Sequence, residues 1–162
     1  MRIRLLRNAT LIVEAASERI LVDPMLGASR SSPPFAFVRH VPRRNPTVPM
    51  PPHALPNLET VTAALVTHCR RGHLDHLDAA GRTFLSRREL SVFCASGDAA
   101  YLSKRRLRAT PLALGFRAPF FGGTILPVAA THGHGWIARL MGVGVGYVIS
   151  LPGEPSLYLS GD

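Results

Sequence analysis

Apolar residues open this chain in short bursts set apart by polar breaks. Ile3 to Leu6, Thr10 to Ala15 and Arg19 to Val22 each have the length and β-branched content of a strand, and the break from Ala16 to Glu18 reads as a hairpin turn. Asp23-Pro24 ends the third burst, because proline cannot donate to a sheet ladder and restricts the residue before it. Further on, Ala63 to Thr67 is a continuous apolar run of buried-strand type, and Ser91 to Ala95, Thr124 to Thr131, Gly146 to Leu151 and Ser156 to Ser160 read as strands. The last two are joined by a Pro-Gly-Glu-Pro turn. Helices are predicted over Ala79 to Arg88 and over Gly97 to Lys104, the second with a basic end that suits the helix dipole. No internal repeat interrupts this order.

One segment breaks the pattern. From Gly27 to Asn57 the chain carries eight of its 14 prolines, with Arg39, Arg43 and Arg44 among them. We expect neither a regular helix nor a central strand there, but a long loop: either a lid at the mouth of a site or a surface insertion. The chain stops at Asp162, directly after a strand, so residues 1–162 are expected to form one partial domain, an incomplete piece of a longer fold. Such a piece, lacking cover for a second sheet, is not expected to make a stable active enzyme alone.

Composition sets the class. A hydrophobic fraction of 46% over 162 residues is enough for a real core and excludes a disordered tail. No apolar run approaches the ~20 residues that span a bilayer, and the Arg-interrupted N-terminus is not a signal peptide. A cytoplasmic location is the resulting expectation. The two cysteines, Cys69 and Cys94, are expected to be reduced thiols, with Cys69 a minor candidate for metal ligation. The net charge of +9 favours anionic partners, yet the basic residues do not interleave with aromatics and no nucleic-acid module is recognisable. A small-molecule substrate, either anionic or neutral, is the expected partner, with no strong nucleic-acid or membrane signal.

Candidate chemistry gathers at three strand ends. Thr67-His68-Cys69-Arg70-Arg71-Gly72-His73-Leu74-Asp75-His76 puts three histidines and an aspartate in one loop after a buried strand. Imidazole and carboxylate suit zinc and similar divalent ions, and a loop can turn several of them toward one point where a helix cannot. His132-Gly133-His134-Gly135 follows a second strand, and Ser160-Gly161-Asp162 delivers a carboxylate at a third. Five of the seven histidines lie in these segments, while His40 and His53 sit in the proline-rich loop. Separate strand ends delivering such donors describe a site for one or two metal ions.

These motifs resemble the metallo-β-lactamase superfamily, whose first metal motif is His-x-His-x-Asp-His at a strand end. His73-Leu74-Asp75-His76 reproduces its latter part, and His68 follows its strand as the family's first histidine does. The spacing departs from the pattern: four residues separate His68 from His73 where the family has one, so Arg71 occupies the strict position and Arg70-Arg71-Gly72 reads as a small insertion. Ile20-Leu21-Val22-Asp23-Pro24 and Asn8 to Glu14 are similar to early strands of the ascorbate-phosphate-lactonase-like branch.

The resemblance implies an α+β fold, a four-layer αββα sandwich, incomplete at the C-terminus. It implies His68, His73 and His132 on one ion, Asp75 and His76 on a second, and Asp162 bridging, with His134 the alternative to His132 and a final histidine beyond Asp162. Asp23 and Asp78 are candidates either for orienting ligand imidazoles or for plain turn and cap roles. The implied cofactor is Zn2+, as one or two ions, with Mn2+ or Fe2+ as substitutes. The implied activity is that of a metallo-hydrolase, in which a metal-bound hydroxide attacks an ester, lactone or phosphoester and Asp75 positions the nucleophile or shuttles its proton. The alternatives are a phosphodiesterase or phospholipase-D-like hydrolase acting on lipid or nucleic acid, and a catalytically inactive metal-binding fragment.

Overall fold

The computed structural model describes residues 1–34, 41–69, 75–131 and 143–161. Two sheets form its body. The first has six strands in the order β1(Arg2–Arg7), β2(Thr10–Ala15), β3(Glu18–Val22), β4(Ala63–Val66), β5(Ser91–Ala95), β6(Arg108–Leu112). β1, β2 and β3 pair antiparallel through tight turns, and β3 to β6 run parallel. Parallel neighbours need crossover connections. These are supplied by the proline-rich segment with α1(Ala54–Glu59), by α2(Ala79–Arg87) and by α3(Ser96–Ser103). The second sheet is antiparallel, ordered β10(Leu157–Leu159), β9(Val143–Ser150), β8(Gly123–Thr131), β7(Ala118–Phe120).

Alternation along the first sheet divides the core in two. Ile12, Leu21, Ala64, Val66, Val92 and Cys94 face the helices, where Leu58, Leu85 and Leu102 cover them. Their neighbours Val13, Ile20, Val22 and Leu65 face the second sheet and meet Phe120, Ile125, Tyr147 and Ile149. Both faces of β3 and β4 are therefore buried, which is why these strands read as continuous apolar runs. Helices, first sheet and second sheet make three layers of the expected four-layer sandwich. On the outer face of the second sheet Leu126, Val128 and Val148 are half-buried and Tyr158 is exposed, and among the described residues no helix packs there.

The strands and the two longer helices lie within a few residues of their expected positions. Three elements were not anticipated. α1 begins inside the proline-rich segment, contrary to the expectation of no regular helix from Gly27 to Asn57. It accommodates Pro56 because that residue falls in the first turn, where backbone N–H groups have no partner inside the helix. β6 and β7 carry Pro111 and Pro119, which hide a strand in the sequence. Both lie at sheet edges, where a missing N–H breaks no interior ladder.

Candidate metal centre

β4 delivers the first part of the site. Its four residues are all buried, and the strand ends at Thr67 and His68, which are 1% and 6% exposed. Beside it β3 ends at Asp23, also buried, with its backbone in the left-handed region at φ 46°. Asp23 N–H donates to Leu65 O, so the parallel pairing runs one residue past the strand and sets the Asp23 carboxylate against the start of the histidine loop.

That carboxylate organises what surrounds it. Oδ1 accepts the Thr67 backbone N–H at 2.8 Å. Oδ2 accepts the Thr67 hydroxyl at 2.7 Å and His76 Nδ1–H at 2.9 Å. Thr67 Oγ1 lies 3.1 Å from His68 Nδ1. With its proton committed to Asp23, the hydroxyl can serve His68 only as acceptor. This assigns the proton to Nδ1 in both imidazoles and leaves Nε2 as the nitrogen that would face a metal ion. The two rings are stacked at a tilt, 3.8 Å between centroids. Burial pushes the Asp23 carboxyl pKa up, while hydrogen bonds and charge attraction from His76, and hydrogen bonds from Thr67, pull it back.

Asp75 joins from the far side of the loop. Its Oδ2 is 3.8 Å from His76 Nε2, the nitrogen turned away from Asp23, and the carboxylate is part-exposed where His76 is fully enclosed. Three residues after Asp75, Asp78 caps α2. It accepts Gly81 N–H and also the backbone N–H groups of Leu26 and Gly27, at 3.1 and 2.7 Å. Of the two carboxylates considered for orienting imidazoles, Asp23 does so and Asp78 instead ties the segment after β3 to the helix. Arg7, itself buried, holds the same segment through the carbonyls of Met25, Gly27 and Val48.

Gly161, from the third motif, lies against the same place. At φ 82°, it lies so close that an added Cβ would sit 3.1 Å from Thr67 Cβ and 2.8 Å from Val145 O. Glycine is required there for both its dihedral and its contact. Tyr147, on β9, donates its hydroxyl to Val66 O at 3.1 Å, fastening the second sheet beneath the end of β4. Burial pushes its phenol pKa far up, so it remains a neutral donor.

The structure thus brings together His68, Asp75 and His76 of the residues expected from sequence. His73, His132, His134 and Asp162 lie outside the described residues, as does the Arg70-Arg71-Gly72 stretch. Among the described residues alone, no three donors form a complete metal site. The donors present nevertheless suit a divalent ion, because two buried imidazoles are held in the coordinating tautomer by a carboxylate behind one and a hydroxyl behind the other. Cys69 turns into the helix-side core with Cys94, and both are free thiols. Burial, with Asp98 nearby, raises the pKa of each, Cys94 to about 12, which makes them poor ligands at neutral pH. Thr67 was not singled out from sequence. Its signal was a lone hydroxyl closing an apolar strand directly before a histidine.

Comparisons with known proteins bear on the family and the fold. A family model described as the beta-lactamase superfamily domain matches residues 18–162. The chain is 30% identical to the UPF0173 protein YddR of Bacillus subtilis over all of its own length and 63% of that protein's. It superposes with a TM-score of 0.82 on a possible metal-dependent hydrolase from Veillonella parvula, at 26% identity, covering 97% of this chain and 61% of that one. An isothiocyanate hydrolase from Delia radicum gut bacteria gives the same TM-score at 27% identity, covering 98% and 61%. The chain therefore spans somewhat over three-fifths of the length of these relatives.

Proposed function

Because the chain belongs to the beta-lactamase superfamily, we propose that it forms the larger part of a metal-dependent hydrolase, acting on a small, anionic ester, lactone or phosphoester. The observation that carries the reading is the Asp23–Thr67 pair, which sets His68 and His76 in the coordinating tautomer at a strand end. A structural role alone would not require two adjacent buried imidazoles with the same nitrogen turned away from their supports.

The residues that would hold metal are His68, His73 and His132 for one ion and Asp75 and His76 for a second, with Asp162 a further ligand and Zn2+ the favoured metal. Divalent ions held there would supply Lewis acidity toward a bound water and the bond under attack. The chain's own residues do the rest. Asp23 and Thr67 hold the imidazoles in place, so that no reorientation is needed during reaction. Asp75, the part-exposed carboxylate beside His76, orients the attacking water and takes its proton. Asp78 and Arg7 fix Met25 to Gly27, directly after β3, through the backbone groups they hold.

The test is turnover of a panel of p-nitrophenyl esters, lactones, phosphoesters and an isothiocyanate, the last included because of the similar isothiocyanate hydrolase. Activity on at least one class, lost on chelation, restored by Zn2+ and lowered by Asp75→Asn, is expected. Turnover indifferent to chelator, or unaffected by Asp75→Asn, would overturn the proposal.

A further inference from the structure

The opposite end of the parallel strands carries a second feature. α2 finishes at Arg87, just before β5 begins, and α3 finishes at Ser103, just before the segment leading to β6. Ser91, the first residue of β5, pairs with Arg108, the first of β6, so both helix ends stand over the N-terminal edge of the sheet. The histidine loop follows the C-terminal edge. Between the two helix ends lies a groove of about 450 Å³ lined by Arg82, Arg87, Lys104, Arg105 and Arg106, with Thr83 and Ser86.

Five cations converge there, and no carboxylate lines the groove. Among the described residues none of the five forms an ion pair, whereas Arg2 and Arg4 on β1 share Glu14. Two heads are braced from behind. Arg82 Nη1 donates to Leu77 O, and the Arg105 guanidinium stacks 3.6 Å above the Tyr101 ring while donating to Tyr101 O. The C-termini of α2 and α3 offset only roughly half a charge each. The groove therefore keeps a strong positive excess, and gathered like charges repel until a counter-charge arrives.

The lining also narrows the ligand. Arginine forks match phosphate oxygens in pairs, and the Thr83 and Ser86 hydroxyls add neutral donors. No aromatic face lines the groove on which a base could stack, so phosphates rather than bases would be read. The volume falls in the range of small-ligand sites. We propose that this groove binds the phosphate groups of a small, polyphosphorylated ligand, at a site separate from the histidine loop.

The test is calorimetric titration of the purified protein with inorganic tripolyphosphate at about 0.15 M salt. One saturable site is expected, with orthophosphate at least about tenfold weaker. Arg87→Ala with Arg105→Ala should weaken tripolyphosphate binding by about tenfold or more, because two charged contacts are removed. Arg2→Ala with Arg4→Ala should leave it unchanged, and so should His76→Ala, which separates this groove from the metal centre. Thermal melts of each variant confirm folding. Absence of saturable binding, equal loss in the Arg2/Arg4 variant, loss in the His76 variant, or tight binding of a 20-base-pair duplex without tripolyphosphate binding would each overturn the proposal.

Discussion

Replacing Asp23 by asparagine tests the support of the imidazoles with little change of shape. Asp23 occupies a left-handed backbone conformation, φ 46°, which asparagine adopts as readily as aspartate, so no backbone penalty is introduced. The retained carbonyl oxygen still accepts Thr67 N–H, as Oδ1 does in the native protein. At the Oδ2 position an NH2 group would face the Thr67 hydroxyl and His76 Nδ1, both of which donate to Oδ2 now. Two bonds to a carboxylate are exchanged for neutral ones with reversed polarity, at roughly 1 kcal/mol each, or about 2 kcal/mol of stability. His76 answers the new donor by moving its proton to Nε2, which removes the lone pair proposed to bind metal. Loss of such a supporting partner typically weakens metal binding by about 10–100-fold. Zn2+ affinity by chelator competition and stability by urea unfolding measure the two effects separately. Asp23→Ala should cost more stability, about 3–6 kcal/mol, since it orphans three buried donors. If Asp23→Asn holds Zn2+ as tightly as the native protein, the assigned tautomer and the role given to Asp23 are wrong.

Other expectations follow from the same contacts. Asp78→Ala removes the cap of α2 and the anchor of Leu26 and Gly27, and should cost about 2–4 kcal/mol by the shift of the urea midpoint. Gly81→Ala improves helix propensity by about 1 kcal/mol, yet its Cβ would lie 1.9 Å from Pro24 O; net destabilisation of roughly 2 kcal/mol or more in thermal melts is expected. Cys94 should resist alkylation in the folded state at neutral pH and react on unfolding, as a mass-spectrometric time course would report. Its thiol pKa rises from the ordinary 9.0 to about 12 on folding, so the folded state holds the proton more tightly. Its contribution to stability is full below pH 9.0 and declines as pH climbs toward about 12, which unfolding curves across that range would detect.

Much of this architecture was legible in the chain because burial on both faces leaves an unmistakable mark. Ile20 to Val22 and Ala63 to Val66 are apolar at every position, since a sheet packed between helices and another sheet has no wet face. The site was legible where residue type itself is unusual, as in His68, Asp75 and His76 packed into one loop. It was not legible where the signal is relational. Asp23 and Thr67 are 44 residues apart and meet only because β3 and β4 pair in parallel. Pro111 and Pro119 argued against strands, and only the order of the sheets reveals that each lies at an edge. Pro56 likewise hid α1 until the helix start fixed its position within the first turn.

The most direct test of the metal centre is the Zn2+ content of the protein after gel filtration through metal-free buffer, compared with His68→Ala and His76→Ala proteins treated alike. The account predicts one or two ions per native chain and a clear loss of bound metal in both variants, each still folded by circular dichroism. Native protein emerging without metal after prior loading, or variants retaining the native complement, would contradict it.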